Sequence, residues 1–292
     1  MQSKIISIPG ILSTALLLIT VHSALFAQGG DSIRGKKLFI GLGLEPTQSL
    51  IKNHGTSSIE AITSDKSATF NGSAEIGYFF SKYIGLSSGI GFSSYGSQIK
   101  LDTYQNKLNT IDSENEAYEL RVTGNTIKET ENIKYLYIPA YLNLRLPLTQ
   151  SFGLFLQSGV NLAFTVKNSY SSEGTFTYKG YYSKYNVLLE NLPTYGLPTN
   201  KATNSSGNME VKPFTAFLTV SGGLEFFLKD NLQIAVIANW NKSLSEVSAY
   251  SANNQFQLTP APDQINSFMG GSTSVTAESI GLSVRLKYFL KL

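Results

Sequence analysis

The sequence predicts an all-β fold: an eight-stranded antiparallel up-and-down transmembrane β-barrel with four long extracellular loops and short periplasmic turns. Three observations carry that expectation. Segments that alternate apolar with other side chains recur along the chain. They are joined in strict alternation by very short turns and by long polar connections. On their apolar faces the aromatic residues gather at the two strand ends and leave an aliphatic band between. A soluble core has no reason to sort aromatics by height, whereas a bilayer draws amphipathic rings to its interfaces.

The alternating segments fall at about 36–45, 69–80, 82–95, 133–147, 151–166, 212–228, 231–243 and 278–290. In the last, Ile280, Leu282, Val284, Leu286 and Tyr288 share one face, and Gly281, Ser283, Arg285 and Lys287 share the other. A helix would mix these two sets; a strand separates them. The fourth segment sets Leu136, Ile138, Ala140, Leu142, Leu144 and Leu146 against Tyr135, Tyr137, Pro139, Tyr141, Asn143 and Arg145. Pro139 has no N–H to give a ladder, so a bulge or a local pairing defect is expected there. Phe70, Phe92, Phe164, Phe214 and Trp240 lie toward the long connections, and Tyr78, Phe80, Phe152, Phe226 and Tyr288 toward the short turns.

Ser81-Lys82, Leu148-Thr149-Gln150 and Lys229-Asp230-Asn231 are tight hairpin turns, while residues near 46–68, 96–132, 167–211 and 244–277 read as long polar loops. With an even strand count, both termini fall on the short-turn side. Ahead of the barrel, Lys4 and the apolar run from Ile11 to Val21 precede Ala24-Leu25-Phe26-Ala27. That run is too short to span a bilayer as a helix and reads as a signal peptide over 1–27. Residues 28–35 then form a short periplasmic segment, and 36–292 the barrel domain.

Eight strands leave a lumen that side chains fill. Gly85, Ser87, Gly89, Gly91 and Ser93 point inward and make room for Tyr137, Tyr141, Phe155 and Phe217. The inward set also carries Glu75, Arg145, Glu225, Arg285 and Lys287, all in the short-turn half. Unpaired buried charges are costly, so Glu75 and Glu225 are expected to pair with Arg145, Arg285 or Lys287 as a plug. In the third long connection Tyr170, Tyr178, Tyr181, Tyr182, Tyr185 and Tyr195 are interleaved with lysine, serine, glycine and asparagine, a composition suited to a contact surface or to packing above the membrane.

Several chemistries find no support. The chain has no cysteine, and beyond the leader the one histidine is His54. His54 sits among hydroxyls and Glu60 on a polar connection, where a solvated histidine is the plain reading. No zinc-ligand spacing and no phosphate loop occur. Asp112, Glu114, Glu116 and Glu119 form an acidic stretch that reads as solvated rather than as a calcium site. No catalytic residue, cofactor or metal is expected. The net charge of +3 is too small to argue for nucleic acid.

The stretch Tyr135-Leu136-Tyr137-Ile138-Pro139-Ala140-Tyr141-Leu142-Asn143-Leu144, the glycine-bearing strand from Phe155 to Asn161, and Gly222-Gly223-Leu224-Glu225 together resemble the outer-membrane beta-barrel domain family of Bacteroidota, the PorT-like group. The resemblance covers nearly all of the chain after the leader. It implies an eight-stranded barrel in the bacterial outer membrane, and for some relatives assistance to protein secretion across it. The expected role is a non-enzymatic barrel with a closed or nearly closed lumen that presents loops for binding or envelope anchoring. An accessory of protein secretion is the alternative, and a membrane-embedded lipid-modifying enzyme ranks lower. Expected partners are outer-membrane lipid, the barrel-assembly machinery, and envelope or secretion proteins or an extracellular ligand.

Overall fold

The computed structural model describes residues 38–56, 62–229, 231–250 and 256–290. The expected signal peptide, the segment 28–35 and the turn residue Asp230 lie outside the described residues. The described residues form ten strands: β1 (Leu38–Thr56), β2 (Thr63–Phe79), β3 (Ile84–Ile111), β4 (Ala117–Pro147), β5 (Phe152–Tyr182), β6 (Val187–Glu190), β7 (Lys201–Gly207), β8 (Phe214–Lys229), β9 (Leu232–Ser243) and β10 (Ser272–Phe289). Eight of them close a ring, running β1-β2-β3-β4-β5-β8-β9-β10 and back to β1, with antiparallel neighbours throughout. The two short strands β6 and β7 pair with the far end of β5.

Side-chain direction within the belts follows the period of two. Leu136, Ile138, Leu142 and Leu146 point out, as do Ile280, Leu282, Val284, Leu286 and Tyr288. Arg285, Lys287, Ser283, Asn143 and Arg145 are buried in the lumen. Both aromatic belts are exposed outward, and neighbouring strands place belt rings side by side, Phe70 with Phe92 at 6.0 Å and Phe164 with Phe214 at 5.4 Å. The short turns are closed by their own hydroxyls. Ser81 Oγ accepts from the N–H groups of Tyr83 and Ile84, and Thr149 Oγ1 from those of Ser151 and Phe152.

Pro139 produces a pairing gap and no bulge. The β3–β4 ladder stops at Ser88–Ala140 and resumes in the same register at Gly91–Tyr137. Ser88 Oγ donates to the Pro139 carbonyl at 2.7 Å, so that acceptor stays satisfied in the gap. Gly91 is where the small inward residues matter: a Cβ there would collide with the Tyr137 ring.

Three of the four long connections are strand over most of their length, and the fourth becomes strand only from Ser272. β1 runs on to Thr56, β3 to Ile111 and β5 to Tyr182, while β2, β4 and β10 begin at Thr63, Ala117 and Ser272. The strands thus leave the outer belt and build a second storey, the extension. Its irregular wall is residues 208–213 and 246–250, joined by a Val211–Ser248 bridge and by hydrogen bonds from Val247 N to Val275 O and from Ala249 N to Glu210 O. In this storey the chemistry of the two faces is exchanged. Ile99, Leu101, Tyr104, Val122, Ile127, Phe176 and Tyr178 are buried inside, with Leu258, Ile265 and Phe268 packed among them. Lys100, Lys128, Thr130 and Glu173 face out. The outer medium explains the exchange: hydrocarbon rewards apolar side chains on the outside, and water rewards them on the inside.

Candidate functional site

Two constellations stand out, one in the lumen and one at the far tip. In the lumen, Arg145 Nε and Lys287 Nζ bind opposite oxygens of Glu225, each at 2.9 Å. Arg285 lies 3.7 Å from Glu75. The structure therefore brings together all five charged residues that the sequence puts on the inner face. Amides supply further hydrogen bonds. Arg285 donates to Gln157 Oε1 at 2.6 Å and to Asn239 Oδ1 at 3.2 Å, and Arg145 donates to Gln233 Oε1 at 3.1 Å. Glu75 Oε1 accepts from Ser87 Oγ and Gln157 Nε2. Asn143 joins the set through Ser87 and Gln157.

Aromatic rings complete the plug. Arg145 lies 4.1 Å from the Phe79 ring centre and 4.9 Å from that of Phe289, and Lys287 lies 3.7 Å from that of Phe155. Phe39, Phe79 and Phe289 meet each other at 5.6 to 6.4 Å and seal the short-turn mouth. The amide partners and this phenylalanine seal were missed at the sequence level. The seal was readable there, since the three rings alternate with the outward Ile40, Tyr78 and Tyr288. Above the network, a cavity of about 20 Å³ between Glu45, Tyr137, Tyr141 and Arg285 has room for about one water. Higher still, Tyr95, Tyr135 and Phe217 stack across the bore at 4.7 to 5.8 Å.

The six tyrosines of the third connection do not form one surface. Tyr178 is buried in the extension, bonded to Thr259 and to the Ala261 carbonyl, and Tyr170 donates inward to Ile265 O at 3.2 Å. Both belong to packing, because β5 continues through them and turns their face to the apolar interior. Tyr181 lies on the opposite face, 4.3 Å below the Arg121 guanidinium. Tyr182, Tyr185 and Tyr195 remain at the tip. There they line a cleft of about 760 Å³ with Ile111, Tyr118 and Leu192. Tyr118 and Tyr182 stack at 5.1 Å, and Tyr195 is 75% exposed.

Acidic residues rim that cleft. Asp112 caps its own hairpin by accepting from the N–H groups of Glu114 and Glu116, and it also accepts from the Tyr182 hydroxyl. Those bonds hold its carboxyl below the usual range, the backbone N–H of Glu116 first. Lys184 and Tyr185 do the same for Glu116. The Tyr182 phenol is pushed up to about 12 by burial and by Asp112. His54 sits on β1, exposed, with Nε2 3.3 Å from Thr276 Oγ1. Among the described residues no group of three or more histidine, aspartate or glutamate side chains could hold a metal.

A closed eight-stranded ring with lipid-ready side chains outside and a packed polar bore defines an outer-membrane β-barrel. The chain matches the outer membrane protein beta-barrel domain family over residues 26–248 and belongs to it, which gives it the bacterial outer membrane as its location. Among solved structures it is similar to Neisserial surface protein A, at 9% identity over 87% of this chain and 97% of that one, with a TM-score of 0.37. It is similar also to OprG of Pseudomonas aeruginosa, at 13% identity over 90% and 99% with a TM-score of 0.32. The outer membrane protease OmpT of Escherichia coli matches at 11% identity over 87% and 97%, with a TM-score of 0.36. No curated protein matches the chain.

Proposed function

We propose that this protein is a non-enzymatic barrel whose bore stays shut and whose far tip binds a partner outside the cell, with the short turns and both termini in the periplasm. The observation that carries this reading is the tip cleft, an open aromatic and aliphatic surface held on a β-structured stalk above a bore filled by the Glu225 network. The test compares the full chain with a Tyr185→Ser/Tyr195→Ser variant, both displayed on cells and both heat-modifiable in migration. Retention of envelope and extracellular proteins on the wild type and its loss in the variant is the expected result. Equal retention by both removes the tip from the reading.

A second reading is favoured by one sequence feature, the Tyr135 to Leu144 strand with Ile138-Pro139, which resembles the PorT-like group of Bacteroidota. On that reading the barrel serves protein secretion, and its partners are other secretion components. Deleting the gene would then stop secretion while leaving the envelope intact. Normal secretion in the deletion strain would leave the first reading alone.

A further inference from the structure

In the last connection, residues 256–271 descend into the extension. Phe268 and Met269 are fully buried, and Leu258 and Ile265 join the apolar core. Polar anchors fix the descent. Tyr170 and Thr203 donate to the carbonyls of Ile265 and Pro262, and Ser205 Oγ accepts from Ile265 N at 3.0 Å. The deepest anchor is a carboxyl group: Glu129 Oε1 accepts from Ser267 Oγ at 2.8 Å and from Phe268 N at 3.0 Å. Its other oxygen accepts from Ser172 Oγ.

Glu129 and Glu131 are neighbours on the inner face of β4, both buried, and close enough for the charge of one to act on the other. Glu131 accepts from Ser97 Oγ at 2.8 Å and from Asn53 Nδ2 at 3.1 and 3.2 Å. The elements packed against the pair present mostly neutral groups to it. β1 offers Asn53, β3 offers Ser97, β5 offers Ser172 and Tyr170, and the irregular wall offers Tyr250 beside Glu210. Lys52, Lys100 and Lys128 face out in pairs of their own, with Glu278, Asp65 and Glu173. His54 also faces out, to Thr276. Two carboxyls thus share a buried site in which neutral groups are the donors.

We propose that residues 256–271 are a proton-dependent plug, seated in the extension while the Glu129–Glu131 pair carries a proton and released when both carboxyls ionise. Two neighbouring negative charges in a poorly solvated interior repel, and the plug supplies only a hydroxyl and one N–H against that repulsion. Burial and then the charge of Glu131 push Glu129 up to about 8, and burial pushes Glu131 up to about 7. The seated state therefore holds protons that the released state, with ordinary carboxylates near 4.5, gives up. Seating is at full strength below the ordinary carboxylate range and weakens as pH rises toward 8. Release would bare Phe268, Ile265 and Leu258 together with the apolar wall they cover.

Hydrogen exchange of the full chain in detergent micelles tests this, with rates corrected for the intrinsic pH dependence and β9 amides as the reference. Across this range both carboxyls are protonated in the seated state and ionised in the released one, so relative protection of 256–271 is expected to fall by up to about a hundredfold per pH unit between pH 5 and 7. Glu129→Gln should flatten that slope, since its amide keeps the shape and never ionises. Glu131→Gln should move the transition to lower protection-loss, because it removes the repelling charge. A flat wild-type profile overturns the proposal, as does an unchanged slope in Glu129→Gln. Should that variant fail to fold, a Glu131→Gln profile identical to wild type overturns it equally.

Discussion

Below the outer belt the wall is greasy outside and polar within; above it, the same strands are polar outside and greasy within. β4 shows both in one stretch. Leu136, Ile138 and Leu142 face out beneath the belt, and Ile127 and Ile133 face in above it. The hydrogen-bond ladder does not depend on the surrounding medium, so β4 and β5 stay paired across the change, with one register shift between Lys134 and Tyr135. Side-chain choice adapts to the solvent. The lower storey must then solve buried charge with the Glu225 network, while the upper one is held by an apolar core built around the buried Glu129 and Glu131 carboxyls.

The sharpest way to break this contrast is to truncate one ring in each storey. Phe176→Ala should cost about 3–5 kcal/mol, because the side chain is buried in the extension core, whereas Phe164→Ala at the lipid belt should cost far less. Urea unfolding in lipid reads both, and equal losses would contradict the exchange of faces. Comparable in size is Glu225→Gln, which leaves Arg145 and Lys287 buried without their carboxylate; a loss of about 3–5 kcal/mol is expected. Unchanged stability together with unchanged planar-bilayer conductance would show that the network is no plug. Smaller is Val284→Lys on the lipid face, expected to cost about 2–4 kcal/mol if its site lies at mid-bilayer. Smallest is Lys128→Leu on the water-facing wall, expected within about 0.5 kcal/mol by the same unfolding assay.

The lower storey was legible because its alternation is chemically clean. Leucine, valine and isoleucine occupy one parity of β10, and serine, arginine and lysine the other. The upper storey was not legible, for two physical reasons. Its inner parity mixes Ile127 and Ile133 with Glu129 and Glu131, so no apolar run appears in the sequence. Register shifts between Lys66 and Gly72 and between Asn125 and Lys128 then interrupt the parity. Polar outward residues such as Thr130, Asn132 and Lys134 made the whole stretch resemble a loop. The charged residues of the plug were legible since opposite charges on one face demand each other. Their partners Gln157, Gln233 and Asn239 were not, because a neutral amide advertises no counterpart. Tyr170 and Tyr178 stayed between contact and packing for the same reason as the strands: a tyrosine in a loop reads as a contact, and a tyrosine in a sheet reads as core.

β4 and β5 each run for 31 residues without a break in the sheet. At about 3.3 Å per residue that is a contour of roughly 100 Å, more than twice the thickness of a bilayer with its headgroups. Anchor and tip are therefore one piece of fabric. A tug on the tip loads the long β4–β5 seam along its length and finds no linker in that seam to stretch first, so the molecule behaves as a mast stepped in its deck.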